Sequence, residues 1–169
     1  MKLIFVGIQG AGKSTQGNLL SEKLNLPYLS TGHIFRELAK EKTPEGRFVK
    51  ETINAGYLIP DEKTLEIVSE YLHRPEYQNG YILDGFPRTA VQAESFGDPI
   101  DKVISIHVSD DEALKRLMFR NTTESRADDT KEAIKKRIEL FYMHTRPLLD
   151  YYRKKGILLE VDGEKSIEE

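Results

Sequence analysis

An apolar run, Leu3-Ile4-Phe5-Val6, passes directly into Gly7-Ile8-Gln9-Gly10-Ala11-Gly12-Lys13-Ser14, and helical periodicity follows over about residues 13–24. This G-x-x-x-x-G-K-[ST] stretch restricts the fold more than any other feature of the chain. Its glycines let the backbone wrap inward so that successive N–H groups face a common point. A helix opening straight afterwards adds the positive end of its dipole. The motif has meaning only between a strand and a helix, so it commits this end of the chain to a strand–loop–helix unit. Lys13 can reach terminal phosphates as a point charge, and Ser14 can serve Mg²⁺ directly or through water. Thr15 follows at the helix start. A glycine-rich turn with no ligand is the alternative, and it leaves the lysine and the spacing without a purpose.

Further short apolar runs occur at Tyr28–Leu29, Tyr81–Leu83, Val103–Val108 and Ile157–Val161. Runs that are apolar throughout, rather than alternating, suit strands covered on both faces, hence a parallel sheet. Helices are expected near residues 13–24, 32–41, 61–73, 110–119 and 129–154, the last opening on the capping-box-like Asp129-Thr130-Lys131-Glu132. The alternation predicts a doubly wound α/β fold. The polar stretch Arg120–Asp128 interrupts the pattern and reads as a mobile loop. At 169 residues, with 38% hydrophobic and 31% charged, the chain fits one domain with a real core. A net charge of −3 gives no nucleic-acid footprint, and the absence of cysteine excludes disulfides and thiolate zinc sites. The first apolar run is too short for a signal peptide or membrane span, so a cytoplasmic location is expected.

Tyr81-Ile82-Leu83-Asp84 is an apolar strand ending in a carboxylate, the form of a Walker-B metal residue, though a turn or capping Asp would read the same way. The residues around and beyond this aspartate form a much less common pattern. Leu83-Asp84-Gly85-Phe86-Pro87-Arg88-Thr89, with Gln92 beyond it, resembles the signature of the adenylate kinase family. Leu29-Ser30-Thr31-Gly32-His33-Ile34-Phe35-Arg36 is similar to that family's acceptor-nucleotide segment, and Gly56-Tyr57-Leu58-Ile59-Pro60-Asp61-Glu62 to the turn over the acceptor base. Arg116, Arg120, Arg126, Asp128-Asp129 and Arg137 come next in the family's order, and Val161-Asp162-Gly163-Glu164-Lys165 resembles its late turn at the ATP base.

The resemblance implies a P-loop NTPase fold: a five-stranded parallel sheet flanked by helices, with a helical acceptor-binding insertion and a short lid loop. One kinase domain would span 1–169, with core 1–30, 60–119 and 128–169, an acceptor-binding segment at about 31–59 and a lid at about 120–127. It implies reversible transfer from Mg-ATP to AMP, giving two ADP, in adenine nucleotide homeostasis. ATP would meet Gly10, Ala11, Gly12, Lys13, Ser14, Thr15, Arg116, Arg120 and Lys165. AMP would meet Thr31, Gly32, Arg36, Tyr57, Leu58, Ile59, Gly85, Phe86, Arg88, Gln92, Arg126 and Arg137. Lys13, Arg88, Arg120, Arg126 and Arg137 would carry catalysis, and Ser14 and Asp84 would face Mg²⁺. The partners implied are ATP, AMP and ADP, with no nucleic acid, no membrane and a monomeric state. Gln9 stands where the family usually has proline, Ser14 where it has glycine, and His33 where it has an aspartate near the metal's water shell. The short Arg120–Arg126 loop resembles the branch that binds no structural zinc. Glu169 comes before the family's final helix normally ends, so a vestigial last helix is expected.

The chemistry fits these residue types. Both substrates are anions, and the attacking phosphate oxygen is already ionised at neutral pH, so cations and backbone donors are needed rather than a general base. Arg36 and Arg88 can grip an acceptor phosphate with a bidentate geometry that lysine cannot copy. Each arginine, taken alone, is also consistent with a weak surface pair. Thr31 can serve as a helix cap as well as an acceptor contact, and Tyr57, Leu58 and Ile59 can be plain core. Gln92 offers one acceptor and two donors to an adenine edge, and a helix starting after Pro87 would put it on one face with Arg88. His73, His107 and His144 read as structural or exposed. UMP or CMP as acceptor remains open, as does a nucleotide-dependent switch or ATP-binding regulatory module, although a switch has no need of a second arginine-rich anion site.

Overall fold

The computed structural model describes all 169 residues. Five parallel strands form one sheet in the order β2-β3-β1-β4-β5. They are β1 (Lys2–Val6), β2 (Tyr28–Ser30), β3 (Tyr81–Asp84), β4 (Lys102–His107) and β5 (Leu158–Asp162). Side chains alternate across a strand, and β1 sends Ile4 and Val6 to one face and Leu3 and Phe5 to the other. On the first face they join Leu29, Leu83, Val103, Phe35, Val68 and Leu148 in the larger core. On the second they meet Ile8, Ala11, Ile82, Ile106 and Ala113. This double burial is what the unbroken apolar runs of β1 and β3 encode. β5 departs from it: this edge strand leaves Leu159 and Val161 exposed.

The helices are α1 (Lys13–Leu24), α2 (Thr31–Leu38), α3 (Pro44–Asn54), α4 (Asp61–Leu72), α5 (Ala90–Ser95), α6 (Asp110–Thr123), α7 (Lys131–Leu140) and α8 (Pro147–Lys154). Five of them start at a Ser or Thr whose side-chain oxygen accepts a backbone N–H from the first turn: Ser30, Thr43, Thr89, Ser109 and Thr130. Four sequence expectations give way to the structure. Ser30, not Thr31, caps α2, and Thr130, not Asp129, caps α7. The long helix expected over 129–154 is two helices separated by a wider π turn at Phe141–Thr145. Helix α6 runs on through Thr123, so Arg120 sits on helix and the irregular stretch is confined to the residues after it.

Helix α3 was not expected. Its buried face is Gly46 and Val49, with Ile53 packed at the edge of the core one turn further on, while Phe48 faces solvent. Thr43-Pro44, a capping residue followed by proline at the first helical position, is the signal that could have found it. No helix is long and apolar enough to cross a membrane. The C-terminal ends of β1, β2 and β3 converge, with Asp84 in register with both Phe5 and Ser30. A crevice at that end is where open parallel sheets take ligands.

Candidate nucleotide site

The loop after β1 turns at Gly10 and Gly12, whose φ values are +87° and +96°. A side chain is strained at such angles, and a Cβ on Gly10 would also lie 2.7 Å from the Ala113 carbonyl oxygen. Gly12 is the N-cap of α1 and supplies no side-chain acceptor, so the helix opens without one on its first N–H groups. The Lys13 ammonium folds back on its own loop, donating to the carbonyl oxygens of Gly7 at 2.9 Å and Ile8 at 3.1 Å. Burial pushes its pKa below the usual lysine range, Asp84 opposes that shift, and Arg88 and Arg120 add to it.

Across the same cleft, of about 370 Å³, lie two more cations. Arg36 comes from the last turn of α2, and Arg88 from the turn after β3, where its Nε donates to the Gly85 carbonyl oxygen at 2.7 Å. Gly85 has φ +87°, and a Cβ there would sit 2.4 Å from the Thr31 hydroxyl. Burial lowers the pKa of both guanidiniums, reinforced at Arg36 by Arg126 and at Arg88 by Arg137. Lys13, Arg36 and Arg88 have no carboxylate within ion-pair distance. Half-buried cations without a counter-ion, drawn from three elements into one cleft, are costly in an empty protein. They define a site for phosphate-sized anions.

The remaining arginines are compensated. Arg116 bonds Glu112 at 2.9 Å and the carbonyl oxygens of Gly163 at 2.7 Å and Ala11 at 3.4 Å, so it fastens the late turn to the phosphate loop. Arg126 pairs with Glu124 at 2.8 Å. Arg120 pairs with Asp129. Arg137 reaches Asp128 at 3.0 Å, Asp129 at 3.2 Å and the Ile53 carbonyl oxygen at 2.8 Å. All four guanidinium groups border the cleft.

Of the other expected residues, Gly10, Gly12, Ser14, Thr15, Gly32 and Asp84 line the cleft, as do Tyr57, Leu58, Ile59, Gly85 and Gln92. Ile59 is also core, while Tyr57 is exposed with the Lys136 ammonium 5.0 Å from its ring centre. Ala11, Thr31 and Phe86 are buried behind the lining. Thr31 donates to the Asp84 carbonyl oxygen at 3.3 Å. Lys165 is exposed and does not border the cleft. Gln92 is a further departure. Its Oε1 accepts the Arg88 backbone N–H at 2.8 Å and its Nε2 donates to Asp61 at 3.0 Å, because α5 begins at Ala90 and leaves Arg88 outside the helix. His33 is exposed and outside the lining; His144 is exposed, His73 bonds its own helix through Ser69, and His107 meets Ser105 and Glu160.

Sequence reasoning passed over two contacts. The Tyr28 hydroxyl donates to the Asp84 carboxylate at 2.5 Å, and burial raises the phenol's pKa, with the Asp84 charge adding to it. The Thr145 hydroxyl donates to the Arg88 carbonyl oxygen at 2.8 Å. A strand-end carboxylate beside another strand's tyrosine was the only available hint of the first. As to metal, no three His, Cys, Asp or Glu side chains gather into a cage. Asp84 and the Ser14 hydroxyl instead border the cleft beside the phosphate loop. One carboxylate and one hydroxyl suit Mg²⁺, which usually takes its other ligands from water and phosphate oxygens.

A sheet of this order, a lysine-bearing phosphate loop and a second anion site facing it define a P-loop nucleotide kinase. Similarity to known proteins narrows this. The family model described as adenylate kinase matches residues 5–157. An adenylate kinase of Cyanothece sp. is 43% identical over 169 residues, covering 96% of this chain and 87% of that protein. One from Archaeoglobus fulgidus is 39% identical, covering 99% and 93%. One from Bacillus subtilis is 38% identical, covering 100% and 94%. The chain belongs to the adenylate kinase family, and it is a phosphotransferase that catalyses ATP + AMP = 2 ADP.

Proposed function

We propose that the two uncompensated cation groups divide the reaction between them. Lys13 and the N–H groups of Gly10, Gly12, Ser14 and Thr15 hold the donor phosphates, the Ala11 N–H being taken by the Ile8 carbonyl oxygen at 3.1 Å, while Arg36 and Arg88 hold the acceptor phosphate. The observation that carries this reading is the absence of any carboxylate partner for Lys13, Arg36 and Arg88 in a shared cleft. An acceptor phosphate oxygen attacks the γ-phosphorus of ATP, a new O–P bond forms, and the bond to the β,γ-bridging oxygen breaks with its electron pair leaving on ADP. No proton has to move. The residues act by bringing two like-charged groups together and neutralising the charge that spreads over the transferring phosphoryl.

Arg120, Arg126 and Arg137 take phosphate oxygens as the site fills, Arg126 giving up Glu124 while Arg120 and Arg137 keep Asp129 as their anchor. Their pairs with Asp128, Asp129 and Glu124 keep these arginines satisfied until an anion of higher charge arrives. Closing them over the site also excludes water, which would otherwise take the phosphoryl group. Asp84 and Ser14 would hold Mg²⁺, with the Tyr28 hydroxyl fixing the Asp84 carboxylate, and the bound ion would offset negative charge on the donor phosphates. Gly32, Tyr57, Leu58, Ile59, Gly85 and the remaining Nε2 hydrogen of Gln92 form the AMP side, with Thr31 and Phe86 buried behind it; Arg116 borders the donor side, and Lys165 stands outside the cleft.

The same proposal includes the single kinase domain with its acceptor segment near 31–59 and short lid near 120–127, zinc-free, in a cytoplasmic monomer that meets free nucleotides and neither nucleic acid nor membrane. The alignment to the Archaeoglobus protein runs over 202 residues, so that relative carries residues this chain lacks. Calorimetry tests the division. Arg88→Met is expected to weaken AMP binding at least about ten-fold and leave ATP binding unchanged within about two-fold. Equal weakening of both nucleotides would contradict it.

A further inference from the structure

The Gln9 side chain leaves the phosphate loop and enters the charged cluster opposite. Its Nε2 donates to Asp129 Oδ1 at 2.8 Å, and its Oε1 accepts from Arg137 Nη1 at 3.0 Å. Asp129 is fully enclosed, and its carboxylate also takes Arg120 Nε on Oδ2 at 3.1 Å and Arg137 Nη1 on Oδ1 at 3.2 Å. The two Gln9 bonds are the only hydrogen bonds joining the loop, residues 7–14, to residues 120–137. The loop holds one end of the reacting phosphates and the arginines close on the other, so the distance between them must be fixed by something. Arg116, on the same helix as Arg120, reaches the Ala11 carbonyl oxygen at 3.4 Å, so what Gln9 alone supplies is the direct link to Asp129 and Arg137.

We propose that Gln9 is a positioning residue for phosphoryl transfer: its carboxamide sets the spacing between the phosphate loop and the arginines held by Asp129. The inference rests on the reading that Arg120 and Arg137 grip the transferring group. A carboxamide of this reach meets both neighbours, since it donates to the carboxylate and accepts from the guanidinium. A carboxylate here would face Asp129 as a like charge, and an alkyl side chain would bond neither. When Arg137 turns to a phosphate it releases Gln9 Oε1, but the bond to Asp129 survives, because a carboxylate is not drawn to a phosphate. The spacing therefore holds in the loaded site, where a displacement of about 1 Å can cost up to about 100-fold in rate.

Gln9→Met keeps the side chain's length and removes both bonds. Its kcat is expected to fall about ten-fold while KM for ATP and for AMP stays within about two-fold, with an unchanged melting temperature. In an Arg137→Lys background the same substitution is expected to cost less than about two-fold, since its effect runs through that arginine. A wild-type kcat in Gln9→Met overturns the proposal, as does an undiminished loss in the Arg137→Lys background. So does a fall in kcat that comes with a lowered melting temperature, in Gln9→Met and Gln9→Ala alike, which would make Gln9 a prop for the loop. Arg137→Lys alone tests the underlying reading separately: near-normal turnover there removes the arginine grip whatever Gln9→Met does.

Discussion

The backbone N–H of Arg88 donates to Oε1 of Gln92 at 2.8 Å. Gln92 thus braces the turn that carries an acceptor-phosphate cation, and Asp61, bonded to both Gln92 and Thr89, braces it in turn. One Nε2 hydrogen remains for the base. Gln92→Ala is expected to lower kcat/KM for AMP about ten-fold, the scale of about 1–3 kcal/mol for an unpaired buried group, and to narrow the gap to CMP and UMP. Measuring all three acceptors checks it. An equal loss on all three would leave Gln92 as a brace with no part in reading the base.

Arg36 and Arg88 are held near other cations without counter-ions, so they cost stability in the empty protein. Arg88→Met is expected to lower turnover by roughly two decades, the scale for losing preorganised charge stabilisation. The same change is expected to raise the melting temperature by about 1–3 °C without nucleotide. Thermal melts and initial rates on one preparation check both signs. A lowered melting temperature would mean that Arg88 supports the fold.

Lys13 gives a proton-linkage prediction. Burial lowers its pKa in the free site, and a bound polyphosphate raises it again. Between the two values the complex carries more protons than the free protein, so ATP binding takes up protons as pH approaches the lysine range. The nucleotide does not obscure this, because its phosphates are fully ionised well above about pH 6. Calorimetry at about pH 9 in buffers of different ionisation enthalpy is expected to show uptake that Lys13→Met abolishes. Proton release, or uptake that persists in Lys13→Met, would contradict this reading.

Ser14 and Asp84 are proposed to share the metal. Asp84→Asn is expected to raise the Mg²⁺ concentration for half-maximal activity more than Ser14→Gly does, since it removes a charge rather than a dipole. Magnesium titrations of the rate at fixed ATP and AMP check the order. An unchanged requirement in Ser14→Gly would leave Ser14 as a helix-start residue.

The strand, loop and helix from Leu3 to Leu24 were legible because the sequence there is constrained three ways at once: an apolar run covered on both faces, glycines at positive φ, and a lysine with one job. Helix α3 was passed over, although Val49 and Ile53 lie one turn apart on its inner face and Thr43-Pro44 marks its start. The family resemblance singled out the arginines, but it could not sort them. Whether a guanidinium meets Asp129 or stands free like Arg36 depends on tertiary distances that no local pattern encodes. The Arg88–Gln92 geometry failed for a local reason: Thr89 caps α5, which puts Arg88 before the helix rather than on its face.

Two phosphate sites in one cleft, one for the donor and one for the acceptor, divide the reaction. Initial rates of ADP formation with Mg-ATP and each of AMP, CMP and UMP check this. Rapid, reversible ADP formation that requires Mg²⁺, saturates in both nucleotides and favours AMP is expected. Slow ATP hydrolysis that AMP does not stimulate would contradict it.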